Sequence, residues 1–121
     1  MDRKTIGKLG EDYAAQTLEQ NGWRIIRRNF RCRFGEMDII AAKGEVLAFI
    51  EVKTRGANPL YRPYEAVDWR KQQKLIRTAQ SYLMDYDGEL FPRFDVIEIE
   101  LQAGDGFAVA RYQHIENAFT L

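Results

Sequence analysis

The sequence contains one cysteine and one histidine, and both shortages exclude kinds of site. A single cysteine, Cys32, cannot form an internal disulfide, and it cannot supply a cysteine-rich zinc site. With His114 as the sole histidine, a zinc site built on imidazoles is not expected either. We interpret Cys32 as chemically inert and His114, near the end of the last predicted strand, as a surface or capping residue.

Long apolar segments are missing as well. No run approaches the roughly 18 apolar residues that a membrane-spanning helix needs. Residues 1–5 lack the apolar stretch of a signal peptide. We therefore expect a cytoplasmic protein that does not associate with membranes. The 121 residues, 45% hydrophobic and 30% charged, predict a single globular domain over residues 1–121.

Net charge is also absent, because 18 basic residues balance 18 acidic ones, but the two signs are unevenly distributed. Residues 1–34 hold eight lysines and arginines against four acids, and residues 70–77 add four basic residues without an acid. Residues 85–106 hold seven acids against one arginine. A neutral chain with this distribution can still present one basic face, which phosphate binding requires.

Residues 35–55 carry the most informative pattern that is present. Two apolar runs are joined by Lys43-Gly44, which predicts a tight hairpin turn in which glycine supplies a positive φ. The second run is rich in strand-forming residues, yet it contains Glu51 and is followed by Lys53. Charged side chains are rarely buried without a partner, so these two residues indicate a site rather than plain packing.

The alternation of side chains along strands brings Asp38, Glu51 and Lys53 to one face of the predicted hairpin. A two-residue turn sets Asp38 opposite Phe49, a slip to a four-residue loop sets it opposite Glu51, and a three-residue or bulged loop would break the shared face. Glu36 shares this face further out. Such a set suggests a Mg²⁺ site, although a cross-strand salt bridge on a solvated face fits the same residues.

Sequence pattern predicts the remaining elements. They are a helix over residues 5–20, a helix over 65–84, and strands over 94–101 and 107–112. Residues 23–34 alternate poorly but have the composition of a further strand. Thr5 is the expected N-cap of the first helix, Gly22 its stop, and Gly7 and Gly10 predict close packing against another backbone. Residues 56–64 predict a loop beside the site, either a lid or a plain connector. The expected fold is one α/β domain with a mixed central sheet flanked by helices.

Two features outside the hairpin allow a functional and a structural interpretation. Glu11 lies beside the apolar stripe of the first helix and could reach the strands, or it is a surface carboxylate near a helix N-terminus. Residues 23–34 interleave five arginines with three aromatic residues. Such arginines grip phosphates and such aromatics stack on bases, but an edge strand with protective arginines and aromatics in the core gives the same pattern.

The wider set of motifs resembles the bacterial YraN family, also called UPF0102, over almost the whole chain. In order along the chain, the motifs are Gly10-Glu11-Asp12-Tyr13-Ala14, Asn29-Phe30-Arg31, Gly35-Glu36-Met37-Asp38-Ile39-Ile40-Ala41, Phe49-Ile50-Glu51-Val52-Lys53-Thr54-Arg55, Glu65-Ala66-Val67, Lys71 and Phe94-Asp95-Val96. The resemblance implies a restriction-endonuclease-like fold, in the order helix, three strands, helix, two strands. It also implies similarity to Holliday-junction resolvases, whose dimers make a homodimer a further expectation.

The resemblance also assigns roles. Asp38 followed by Glu51-Val52-Lys53 is similar to the PD-(D/E)XK nuclease signature, in which the two acids hold Mg²⁺ or Mn²⁺ and the lysine positions a water. Glu11 matches an acid that joins the metal cluster. The residues expected to bind phosphates are Arg28, Arg31, Arg55 and Lys71.

The leading hypothesis is a metal-dependent endonuclease that hydrolyses phosphodiester bonds of DNA, with branched or recombination and repair intermediates as candidate substrates. Whether the chain is an enzyme stays open at this point. A non-catalytic module on the same fold that binds nucleic acid or a repair partner is the main alternative. A protein-interaction domain is a third interpretation, and it predicts no salt-dependent binding of DNA.

Overall fold

A five-stranded sheet carries one helix on each face in the computed structural model, which describes residues 1–56 and 67–120. The elements are α1 (Arg3–Gln20), β1 (Arg24–Cys32), β2 (Gly35–Lys43), β3 (Val46–Arg55), α2 (Trp69–Leu83), β4 (Phe91–Leu101) and β5 (Val109–Phe119). This is the predicted order of helix, three strands, helix, two strands, and it confirms the mixed α/β sheet of a restriction-endonuclease-like fold.

The strands lie in the sheet in the same order as in the chain, β1-β2-β3-β4-β5. The pairs β1–β2, β2–β3 and β4–β5 are antiparallel, whereas β3 and β4 run parallel. Parallel neighbours need a crossover connection, and α2 lies in that crossover. The chain therefore builds a three-stranded meander first, crosses one face of the sheet with α2, and finishes with a hairpin.

Both helices begin at aspartate caps that the sequence analysis missed. Helix α1 starts at Arg3, and the Oδ1 of Asp2 accepts a hydrogen bond of 2.8 Å from the backbone amide of Thr5, so Thr5 is not the cap. Helix α2 starts at Trp69, later than the predicted residue 65, behind an Asp68 cap. The predicted stop of α1 is confirmed, because Gly22 has a φ of +90°.

The predicted turn at Lys43-Gly44 is wrong by one residue. Lys43 still pairs with Val46, so the two turn residues are Gly44 and Glu45, with a φ of +59° at the glycine. The ladder runs on to Ile39 opposite Ile50. One further step of this register sets Asp38 opposite Glu51, which is the second of the two registers that the sequence allowed.

The last two strands are longer than predicted, and one predicted loop cannot be compared. Strand β4 begins at Phe91 rather than at residue 94, and β5 continues to Phe119 rather than ending at residue 112. Much of β5 faces water, so its polar residues hid its length from a search for apolar alternation. In the loop predicted at residues 56–64, residues 57–64 lie outside the described residues.

Each face of the sheet has its own apolar core. On one face, Ala14 and Leu18 of α1 pack against Ile39, Ala48 and Ile50. On the other face, Leu75, Ile76 and Ala79 of α2 pack with the strand residues Ile40, Leu47 and Phe49. The predicted alternation of β3 is confirmed, and it places the side chain of Glu51 on the α2 face.

Candidate functional site

Glu51 is the buried centre of the candidate site. Its side chain lies in the apolar face of β3 that carries Leu47 and Phe49, and the residue is only 5% exposed. Its Oε1 lies 3.3 Å from the Nζ of Lys53 and 3.2 Å from the Nζ of Lys71. Two ammonium groups therefore share one carboxylate oxygen, and this pairing explains how a charged residue is accommodated in a buried strand.

Lys71 reaches this carboxylate from the first turn of α2. Burial alone would lower the pKa of Lys71, but the charge of Glu51 and its hydrogen bond outweigh burial and raise that pKa above its ordinary value. Lys71 thus holds its proton firmly at neutral pH. The sequence predicted Lys53 beside Glu51 from strand alternation alone, whereas the approach of Lys71 required the resemblance to the family.

Asp38 lies where β2 and β3 begin to separate. Regular pairing between these strands ends at Ile39 opposite Ile50, and the Oδ2 of Asp38 accepts a hydrogen bond of 2.8 Å from the backbone amide of Val52. Burial, followed by the charge of Glu51, raises the pKa of Asp38 to about 8 in spite of this bond. An acid whose environment disfavours its charge is a candidate functional residue.

Two further acids meet across Asn29, which the sequence analysis quoted only within a family motif. The Nδ2 of Asn29 donates hydrogen bonds to the Oε1 of Glu11 at 2.8 Å and to the Oε1 of Glu36 at 2.9 Å. Asn29 has a φ of +52°, which asparagine tolerates better than most residues. The only available signal was an asparagine inside a run of strand-forming residues, where asparagine is disfavoured.

Gly10 lets α1 approach the strands closely enough for Glu11 to reach this group. A Cβ at Gly10 would overlap the Oγ1 of Thr54 on β3, so only glycine fits. This confirms the prediction of close packing at Gly10, although the contact is with a side chain. The same prediction is wrong for Gly7, where a Cβ would meet nothing within 4 Å.

These residues line one pocket of about 320 Å³. Its walls come from α1, the start of β2, β3 and the first ten residues of α2, and they are formed by Glu11, Gly35, Glu36, Asp38, Glu51, Lys71, Lys74, Leu75 and Thr78. The predicted acids of both strands and of the first helix therefore share one cavity with a lysine of the second helix. Within the described residues, however, no three acidic, cysteine or histidine side chains converge closely enough to hold a metal ion.

The predicted phosphate-binding arginines are less close to this pocket. The Nη2 of Arg28 lies 2.7 Å from the Oδ1 of Asp12, an ion pair that ties β1 to α1. Arg31 pairs with Glu36 through its Nε at 3.1 Å, which keeps it at the rim of the pocket. Arg55 is the last residue of β3, on the same strand as Glu51 and Lys53.

Known proteins resemble this chain along most of its length. Residues 10–99 match the family model described as "Uncharacterised protein family UPF0102". A UPF0102 protein of Caldanaerobacter subterraneus is 41% identical over 120 residues, covering 98% of both chains. One from Clostridium botulinum is 42% identical over 121 residues, covering 98% of this chain and 96% of that one. The chain belongs to the UPF0102 family. The resemblance drawn from the motifs is thereby confirmed.

One buried polar cluster of this UPF0102 member was missed. Asp95 on β4 is fully buried, and its Oδ1 accepts hydrogen bonds from the Nε of Arg93 at 2.9 Å and from the backbone amide of Asn117 at 3.0 Å. Its Oδ2 accepts from the Nη2 of Arg93 at 2.9 Å and lies 2.8 Å from the Nε2 of His114. The prediction of a surface or capping role for His114 is therefore wrong, because its ring packs on a buried carboxylate.

A membrane location receives no support from the helices. In the part of the chain that the structure describes, neither helix combines the length and the apolar character needed to cross a membrane.

Proposed function

We propose that this UPF0102 protein is a metal-dependent phosphodiesterase that cleaves DNA as an endonuclease. The observation that carries the proposal is the pocket in which Asp38 and Glu51 lie on neighbouring strands with Lys53 and Lys71 against Glu51. Hydrolysis of a phosphodiester needs a hard cation, a positioned water and positive charge near the phosphate. Carboxylates for the cation and Lys71 for the phosphate line this cavity, and Lys53, which does not line it, reaches its Glu51 from the same strand.

The chemistry of the donors suits a hard divalent ion such as Mg²⁺ or Mn²⁺, although no three acids of the described residues converge on one point. Asp38, Glu51 and Glu11 offer carboxylate oxygens, the ligands that such ions prefer. The raised pKa of Asp38 reflects, after burial, the charge of Glu51 and then of Glu11 and Glu36. The lining holds four acids against two lysines, so a bound cation would offset negative charge there. When bound, the ion would polarise a phosphoryl oxygen and lower the pKa of a bound water.

The two lysines have separate tasks in this proposal. Lys53 extends from the same strand and the same face as Glu51, so it can orient a water against the phosphorus. Lys71 keeps its proton because of Glu51, and it can stabilise negative charge that develops on the phosphate. Glu51 holds both ammonium groups in place through its Oε1.

The proposal is tested with Asp38→Asn and Glu51→Gln, which keep the shape of each side chain. We expect each change to reduce Mg²⁺- or Mn²⁺-dependent cleavage at least about a hundredfold. The substrates are radiolabelled flaps, four-way junctions, single strands and duplexes of DNA. Glu45→Gln is the matched control, because Glu45 is an exposed acid at the turn of the same hairpin, and this variant should cleave normally.

Binding of the metal is measured separately by calorimetric titration of Mn²⁺. The wild-type protein and Glu45→Gln should bind the ion, and Asp38→Asn should bind it at least tenfold more weakly. Unchanged cleavage in both site variants would rule out the proposed mechanism, whatever the titration gives.

A second candidate function is a non-catalytic module that binds nucleic acid. The observation that favours it is the engagement of Glu51 Oε1 by two ammonium groups, with no three-acid cluster among residues 1–56 and 67–120. In that case the lysines would bind phosphates and the carboxylate would only hold them in position. This candidate predicts salt-dependent binding of DNA without cleavage in any divalent ion.

A further inference from the structure

Trp69 is a large aromatic side chain left in water. It is the first residue of α2 and is 72% exposed, whereas the other tryptophan, Trp23, is 7% exposed within the core beside α1. Within the described residues, the Trp69 indole makes no ring or cation contact. Burial of a large aromatic side chain stabilises a fold, so the exposure of this indole gives up stability that the fold could have gained.

The helix that begins with Trp69 is basic over its first nine residues. Between Trp69 and Leu83 it carries four cationic residues and no acid. Lys71 is paired with Glu51, but for the other three no ion pair is recorded with any described residue; these are Arg70, Lys74 and Arg77. All three are exposed. An aromatic ring bordered by unpaired cations fits a polyanion that also carries flat apolar groups.

Helix geometry orders these side chains across α2. Successive residues are rotated by about 100°, so Arg70 and Arg77 project from the middle of the exposed face. Lys74 projects to the flank that lines the pocket of Asp38 and Glu51. Trp69 projects to the opposite flank, about one helix diameter of roughly 10 Å away. A path across the helix therefore runs from the pocket over cations to the indole.

We infer that an unpaired strand of DNA crosses the outer face of α2, with its phosphates against Arg70, Lys74 and Arg77 and one base stacked on Trp69. The strand is unpaired because a duplex keeps the faces of its bases stacked on each other, and the indole needs a free base face. A second copy of the chain is a poor occupant, since a two-fold contact through α2 would bring like charges together. The inference rests on the proposed function only in taking a phosphodiester as the ligand of the pocket.

Binding is measured without divalent ions, in EDTA, so that cleavage cannot contribute. The probe is a fluorescein-labelled oligothymidylate of about 15 nucleotides, compared with a duplex and an oligouridylate of the same length. We expect Trp69→Ala to weaken binding of the oligothymidylate about tenfold or more, and Trp69→Phe to retain most of it. Binding of the duplex should change less than about twofold.

Phe91→Ala and Met84→Ala are the matched controls, since both residues are apolar and at least as exposed as Trp69. Neither lies on the proposed path, so both variants should bind the oligothymidylate normally. A Trp23→Phe protein leaves Trp69 as the only indole, and its fluorescence should be quenched as the strand binds. Arg70→Gln with Arg77→Gln should reduce the slope of log K against log salt concentration by about 1.4.

Three results would overturn the inference. The first is that Trp69→Ala binds the oligothymidylate as the wild type does, whether both bind it or neither does. The second is that Trp69→Ala loses as much affinity for the duplex as for the single strand. The third is that the wild type sediments as a dimer and Trp69→Ala as a monomer. A preference for oligouridylate would change the strand to RNA and so also overturn the choice of DNA. This inference and the proposed function can fail separately. If strand binding depends on Trp69 but no DNA is cleaved, this inference stands and hydrolysis is rejected. If DNA is cleaved equally well with and without Trp69, hydrolysis stands and this inference is rejected.

Discussion

Two aspartates of this protein lie on the sheet in opposite surroundings, Asp95 fully buried and Asp38 half-buried. Asp95 has both oxygens fully used by four contacts from Arg93, His114 and the amide of Asn117. Asp38 accepts one hydrogen bond, from the amide of Val52. One carboxylate is thus enclosed by donors, and the other is left among acids.

The pKa values of the two aspartates are shifted in opposite directions, as these surroundings predict. Burial would raise the pKa of Asp95, but the hydrogen bonds from His114, Arg93 and Asn117 outweigh it and hold that pKa below its ordinary value. At Asp38, burial and then Glu51 raise the pKa to about 8. In the proposed function, this difference separates a cluster that stabilises the fold from one that would receive a ligand, since perturbed acids in a cavity tend to be functional.

The largest effect on stability is expected when each aspartate is replaced by asparagine in turn. Asp95→Asn breaks the ion pair of a fully buried carboxylate and leaves the half-buried Arg93 without its bidentate partner, so we expect the free energy of unfolding to fall by about 3–5 kcal/mol. Asp38→Asn keeps an acceptor for the amide of Val52 and removes one carboxylate from a group of neighbouring acids. The free energy of unfolding should therefore change by less than about 1 kcal/mol. Urea denaturation followed by circular dichroism at pH 7 measures both. An equal loss in the two variants would contradict the distinction.

A smaller effect tests how the pocket is held together. Gly10→Ala pushes α1 away from Thr54, so we expect a loss of about 1–3 kcal/mol in the free energy of unfolding. Gly7→Ala is the matched control, because its new methyl group meets open space and should stabilise α1 by about 0.5–1 kcal/mol. Thermal unfolding of both variants gives the two signs. A stabilised Gly10→Ala would mean that α1 does not depend on this contact.

The smallest effect is the dependence of stability on pH. The folded pKa of Asp95 lies below the value of about 3.9 of the unfolded chain, so its contribution is complete above that pH. The contribution is lost as the pH falls through the folded pKa. Urea midpoints measured from pH 7 down to pH 3 should therefore drop less steeply for Asp95→Asn than for the wild type. If the urea midpoints of the two proteins fell in parallel with pH, Asp95 would not be a carboxylate with a lowered pKa, and its difference from Asp38 would be contradicted.

Much of the fold and of the pocket could be predicted because the relevant signals are local. Alternation along β3 assigns Ile50 and Glu51 to opposite faces without any knowledge of the rest of the chain. The hairpin then limits Asp38 to a few registers. The choice among them depended on whether Gly44 takes the first or the second turn position, and both positions accept glycine, so the sequence could not decide.

The parts that sequence reasoning missed depend on contacts between distant segments. In the sequence, Asp95 is an isolated acid in an apolar strand. Only the fold brings it into contact with His114 and the amide of Asn117 on β5. Asn29 similarly becomes a bridge only when Glu11 and Glu36 approach from two other elements. No pattern along the chain encodes such meetings, since each partner is separately compatible with the surface.

The order of the strands has a consequence for how the protein folds. Strands β1, β2 and β3 pair as consecutive hairpins, whereas the parallel pairing of β3 with β4 must wait until the whole crossover has closed. Asp38 and Glu51 are therefore brought together in an early, local step, before α2 delivers Lys71. A partly folded chain passes through a state in which these carboxylates repel each other without the second ammonium group. We expect docking of α2, which relieves that repulsion, to gain less from Lys71 at acidic pH, because protonated carboxylates neither repel each other nor attract the ammonium group.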